Sequence, residues 1–243
     1  MPTVLILGAT SSIGRAVASE LARQRRGLVL TGRDLEEVKA IASDLALRYQ
    51  VKTCAREFDI LAFERHAADL AASFLAAGDD LEGAVLCVGY YGGAEKDPAE
   101  AKRVADTNFT GCVLALNIMA EHFEKRRRGY ICALSSVAGD RGREKNYLYG
   151  ATKAGLSAYL QGLRQRLFRA NVRVITIKPG FVDTPMTYGR AGIFLVASPE
   201  SVGKSIAKAI ESGKDVAYVP WFWRPIMFAV RLIPERIFKR TSL

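Results

Sequence analysis

Histidine, cysteine and long apolar runs are scarce in this sequence. Its 243 residues include two histidines, His66 and His122, and four cysteines, Cys54, Cys87, Cys112 and Cys132. The cysteines show no CxxC spacing and the histidines no metal-ligand spacing, so no metal centre is expected. Three of the cysteines lie in or beside apolar stretches, as reduced, buried thiols of a reducing compartment do. Both histidines fall in helical patterns beside charged neighbours and read as surface residues. An uninterrupted apolar run of about 18 residues, the length a membrane-crossing helix needs, does not occur. The apolar run Thr3–Leu7 has no basic segment before it and leads directly into a glycine-rich turn, unlike a secretory signal. A cytoplasmic location is therefore expected. Internal repeats, low-complexity segments and interdomain linkers are missing as well.

What is present in excess is positive charge. Lysine and arginine number 35 against 25 acids, a formal net charge of +10. That balance favours an anionic partner: a phosphorylated cofactor or substrate, a membrane surface, or nucleic acid. Nucleic acid is disfavoured, because no helix-turn-helix or aromatic-basic RNA motif appears.

Apolar runs and amphipathic segments alternate along the chain. Strands are expected at Thr3–Leu7, Leu28–Thr31, Val51–Phe58, Gly83–Val88, Tyr130–Leu134, Val172–Ile177 and Val216–Val219. Helices are expected at about 15–25, from the Asp34 cap to Tyr49, at 61–77, 98–127 and 146–169, and from the Ser198 cap to Glu211. This is the pattern of an α/β, doubly wound, Rossmann-type domain with a seven-stranded parallel sheet, covering residues 1–219. Residues 220–243 differ: two tryptophans, three phenylalanines and five basic residues accompany one acid. They read as an amphipathic tail. It would lie against an anionic membrane at the inner face, bind a lipid chain, or pack on another subunit.

Two stretches carry chemistry. Gly8 and Gly14 bracket the turn after the first strand, where backbone can approach a pyrophosphate and the next helix offers its N–H groups. Thr10, Ser11 and Ser12 can donate to phosphate or cap that helix. Arg33 ends the second strand, where an acid would grip the ribose of NAD, and so favours NADP(H) over NAD(H). Asp34 follows it, and a helix N-cap accounts for it. Further on, Ser136 precedes Tyr149 by thirteen positions, and Lys153 follows Tyr149 by four. On a helix, Tyr149 and Lys153 share a face, and an ammonium beside a phenol favours the phenolate. A YxxxK pair alone arises by chance in many helices.

Taken together these motifs resemble the short-chain dehydrogenase/reductase family over roughly the first 220 residues. Gly8-x-x-x-Ser12-Ile13-Gly14, with Ser11, is similar to its cofactor turn, Asp59-Ile60 to its adenine contact, and Pro179-Gly180-x-x-x-Thr184, including Val182, to its nicotinamide segment. Asn108, Ser136, Tyr149 and Lys153 match its catalytic tetrad. Leu86-Cys87-Val88-Gly89 departs from the family's NNAG and keeps only its glycine, Gly89. The resemblance implies carbonyl reduction: Tyr149 as proton donor, Lys153 on the nicotinamide ribose, Ser136 on the substrate oxygen, Asn108 supporting a proton path, and a homo-oligomer. Two segments, GDRGREKNYLYGATKAGL and VRLIPERIFKR, are also similar to the decaprenylphosphoryl-2-keto-ribose reductases. That narrower likeness implies a polyprenyl-phosphoryl keto-pentose as substrate and a flavin oxidase as partner. Arg141 and Arg143, between Ser136 and Tyr149, would then face the substrate phosphate. The alternatives are reduction of another carbonyl, such as a 3-oxoacyl thioester or a ring ketone, and a non-catalytic nucleotide sensor.

Overall fold

The computed structural model describes residues 1–93, 97–189 and 192–241. Seven strands form one parallel sheet: β1 (Thr3–Leu7), β2 (Gly27–Gly32), β3 (Thr53–Glu57), β4 (Leu81–Leu86), β5 (Tyr130–Leu134), β6 (Arg173–Pro179) and β7 (Val216–Val219). Their order is β3-β2-β1-β4-β5-β6-β7. Side chains alternate between the two faces of a strand, so β1 feeds two cores. Val4 and Ile6 join the layer of α1 (Ser12–Arg23), α2 (Leu35–Tyr49) and α7 (Pro199–Glu211). Leu5 and Leu7 join the layer of α3 (Phe63–Ala77), α5 (Gly111–Arg126) and α6 (Tyr147–Phe168). Both faces are covered, which is why β1, β5 and the end of β4 from Gly83 read as near-continuous apolar runs. The chain order reverses between β1 and β4, and a crevice opens there beyond the strand ends.

The expected caps fall where the sequence puts them. The Asp34 carboxylate accepts from Glu37 N–H at 3.1 Å and the Ser198 hydroxyl from Ser201 N–H at 3.3 Å. The long helix expected over 98–127 is instead broken in its first third. It runs as α4 (Pro98–Ala105), a single wide π turn over Asp106–Thr110, then α5. His66, expected on the surface, is buried with its ring 6.1 Å from Phe58. His122 stacks on Phe74 at 4.5 Å. Aromatic rings from other elements, Phe58 and Phe74, cover His66 fully and His122 in part despite the charges beside them in sequence.

The tail folds back onto the domain. Helix α8 (Trp223–Leu232) buries Trp223 and Met227 against Val137, Phe181 and Tyr218. A short α9 (Glu235–Phe238) follows Pro234 and buries Phe238. The last two residues of the expected tail, 242 and 243, lie outside the described residues. No helix among the described residues is long and apolar enough to cross a membrane.

Candidate active site

The crevice at the β1/β4 reversal is a cleft of about 900 Å³, joined to a smaller hollow of about 290 Å³. Its floor starts at the first turn. Gly8 sits at φ +79°, and the N–H groups of Gly8 and Ala9 both donate to Thr31 O, at 3.1 and 2.9 Å. Ser11 caps α1: its hydroxyl donates to Gly8 O at 2.8 Å and accepts from Gly14 N–H at 3.0 Å. A Cβ on Gly14 would fall 2.2 Å from Gly8 O, so the turn closes only around glycine. The hydroxyl of Ser11 is thus spent on the cap. Ser12 and Ile13 line the cleft, and their N–H groups, in the first turn, have no helical acceptor. This cradle fits a pyrophosphate.

The smaller hollow is bordered by Gly8, Gly32, Arg33, Asp59 and Ile60. The Asp59 carboxylate accepts from Leu61 N–H at 3.0 Å. Arg33 is exposed and makes no hydrogen bond or ion pair among the described residues. Asp34 beside it is committed to its helix. Arg103 also borders the hollow, its guanidinium 4.5 Å from the Tyr90 ring centroid. Nothing in the sequence spacing pointed to Arg103, since α4 brings it in from a distant segment.

Ser136, Tyr149 and Lys153 line the cleft, and Asn108 is buried behind Gly89. Tyr149 and Lys153 lie one turn apart on α6, with Lys153 Nζ 5.9 Å from the Tyr149 ring centroid. Lys153 is buried and its ammonium donates to Leu134 O at 3.1 Å. Burial lowers its pKa. Ser136 begins a short 3₁₀ turn and accepts from Ala138 N–H at 3.1 Å. That turn lies directly on α6: a Cβ on Gly139 would be 2.7 Å from Ala154 N, and one on Gly150 2.9 Å from Ala138 O. The π turn places Asn108 fully inside, where Nδ2 donates to Tyr90 O at 2.6 Å and Oδ1 accepts from Tyr90 N–H at 2.8 Å. Gly89 ties the group together. A Cβ there would be 3.6 Å from Lys153 Nζ and 3.8 Å from Asn108 Oδ1. Cys87, where the family has asparagine, is buried, and burial pushes its thiol up to about 12. Pro179, Gly180, Val182 and Thr184 all line the cleft. Gly180 N–H donates to Val219 O at 2.9 Å.

Arg143 lines the cleft and Arg141 does not. The expectation that both face the substrate is corrected for Arg141. Its guanidinium pairs with Glu235 at 2.8 Å, donates to Arg231 O at 3.3 Å and lies 4.2 Å from the Phe238 ring centroid. It pins the tail. The apolar wall of Phe181, Phe194, Trp223, Ile226, Met227 and Val230 was likewise not among the expected site residues. Tyr91 was missed too; its ring lies 5.0 Å from that of Tyr149.

A dinucleotide cradle joined to a tyrosine–lysine–serine–asparagine site at the strand ends defines a nicotinamide-dependent oxidoreductase. The family model described as short chain dehydrogenase matches residues 2–191, and the chain belongs to that family. An uncharacterized oxidoreductase of Mycobacterium tuberculosis is 35% identical over 240 residues, covering 98% of this chain and 96% of the relative. Another, from Streptomyces coelicolor, is 37% identical over 243 residues, covering 98% and 95%. Among solved structures, a short-chain dehydrogenase from Sphingobium yanoikuyae in complex with NADPH superposes with a TM-score of 0.83. It is 24% identical, with 99% of this chain and 96% of that one covered.

Proposed function

We propose that this oxidoreductase uses NADP(H) to reduce a ketone on a bulky, largely apolar substrate. The lipid-linked keto-pentose of a polyprenyl-phosphoryl sugar is the leading example. The observation that carries this reading is the placement of Ser136 and Tyr149 in one cleft with the apolar wall from α8. Gly8, Ser12, Ile13 and Gly14 would hold the pyrophosphate, and Arg33 the 2′-phosphate. The NADPH carried by the Sphingobium structure supports that choice.

When bound, the reduced nicotinamide supplies the hydride for the carbonyl carbon. Tyr149 gives its phenol proton to the carbonyl oxygen, and the Lys153 ammonium stabilises the phenolate left behind. The Ser136 hydroxyl donates to the same oxygen as charge develops on it. Asn108 holds the backbone of Tyr90, next to Tyr91 and the Tyr149 ring, and supports reprotonation through Lys153.

In the lipid-linked case a separate flavin oxidase would supply the ketone, and the outer face of α8 would rest on an anionic membrane. A second reading, reduction of a 3-oxoacyl thioester or ring ketone, uses the same tetrad. NADPH oxidation with polyprenyl-phosphoryl keto-pentose in membrane extracts, beside those ketones with and without detergent, separates the two. Tyr149→Phe should lower kcat by about a thousandfold or more while NADPH binding is kept. Turnover near wild type in that variant rules the mechanism out.

A further inference from the structure

The loop from Ser136 to Tyr149 carries two buried polar atoms without a partner, Arg143 Nε and Asn146 Oδ1. Both residues line the cleft. The whole Arg143 guanidinium makes no hydrogen bond or ion pair among the described residues, although burial lowers its pKa and only Tyr91 and Asp140 oppose that shift. The acid best placed to neutralise it, Asp140, is already occupied. The Asp140 side chain is 2% exposed, one oxygen pairs with Lys178 and the other accepts from Tyr218 OH at 2.8 Å. Arg141 points away to the tail. A cation half-sunk among aromatic and aliphatic side chains, with no counter-charge, is unfavourable in the free protein. A ligand that brings an anion removes that cost.

Resting on the reductase reading above, we infer that Arg143 is the anion-recognition residue of the substrate cleft. The substrate is an amphiphile that carries a phosphate ester or carboxylate on the same molecule as the ketone. Its anion meets the Arg143 fork, a neighbouring hydroxyl donates to Asn146 Oδ1, and the apolar remainder lies against α8. The cofactor does not account for Arg143. The hollow bordered by Arg33 and Asp59 does not include it. The pyrophosphate cradle is built on β1 and α1, two strands away in the sheet from β5, whose following loop carries Arg143.

Thermal melting in saturating NADPH, which fills the cofactor's own phosphate contacts, tests this directly. Octyl phosphate and octanoate are the probes, with octanol as the neutral control. Either anion should raise the wild-type Tm well beyond octanol, and whichever is stronger identifies the anion. Arg143→Met should melt above wild type without a probe, because an unpaired charge is gone, and should lose the anion response. Arg143→Lys should keep part of it. In turnover, the preference of wild type for a phosphorylated or carboxylated ketone over its neutral counterpart should fall about tenfold or more in Arg143→Met. No anion response in wild type, the same response in Arg143→Met, or an unchanged preference each overturns the inference. Failure of the reductase reading looks different: neither ketone is turned over by wild type, whatever the melting response.

Discussion

Two neighbouring residues at the end of β2 divide cofactor choice from stability. Arg33 has no protein partner among the described residues and borders the smaller hollow. Asp34 has spent its carboxylate on the α2 N-terminus. Arg33→Ser should remove a charge-assisted contact worth roughly 1.5–3 kcal/mol. That raises KM for NADPH about ten- to hundredfold while KM for NADH changes little. Asp34→Ala should leave the ratio of the two cofactors alone and cost about 1 kcal/mol of stability as a lost cap. Steady-state kinetics with both cofactors and a denaturant titration check the pair. At this scale the sequence was most legible where helical spacing alone sets a shared face, as for Tyr149 and Lys153, which both line the cleft. It was least legible at Arg141 and Arg143. The two arginines lie two positions apart in one loop, and Arg141 is drawn away from the cleft by Glu235 and Phe238, far along the chain.

At the scale of elements, the closest approach in the substrate half is between the β6 loop and α8. A Cβ on Gly180 would fall 1.9 Å from Trp223 Nε1 and within 2.5 Å of two further indole atoms. Gly180→Ala must therefore push α8 outward and with it Ile226 and Met227 of the cleft wall. Overpacking of this kind costs about 1–3 kcal/mol. The expected result is a lower Tm together with a raised KM for a bulky ketone and a smaller change for a small one. Equal KM changes for both would mean that α8 does not shape the substrate site. The caps and most strands were legible because side-chain capping and a short continuous apolar run are local signals. The π turn at 106–110 was not, because one extra residue in a helical turn leaves the apolar period on either side almost intact. That hidden turn is what aims Asn108 inward. Pro225 does not break the tail: it sits in the first turn of α8, where proline lacks only an N–H that the helix does not use. Pro234 does separate α8 from α9.

For the whole molecule, strand alternation made the sheet legible, but the path of the tail was not. Its anchors, such as Arg141 to Glu235, join residues 94 apart. Once α8 is docked, its two faces do different things. Trp223 and Met227 are buried inward, while Phe228 and Leu232 are each 65% exposed and Trp221, just before the helix, is 76% exposed. Arg224 and Arg231 flank them, and Arg236, Lys239 and Arg240 follow, against Glu235 alone, which Arg141 already neutralises. An exposed apolar stripe edged by unopposed cations suits an anionic bilayer, each basic residue near the surface contributing about 1 kcal/mol. Deleting the tail would be an ambiguous test, because it strips the inner wall of the cleft as well. Replacing Trp221, Phe228 and Leu232 together by serine alters only the outer face. The intact protein should float with vesicles rich in phosphatidylglycerol, lose most of that binding at high salt, and ignore neutral phosphatidylcholine. The triple variant should stay behind at unchanged Tm. If the triple variant instead turns an oligomer into a monomer, and the intact protein never floats, a second copy of the chain covers that face and the membrane reading falls.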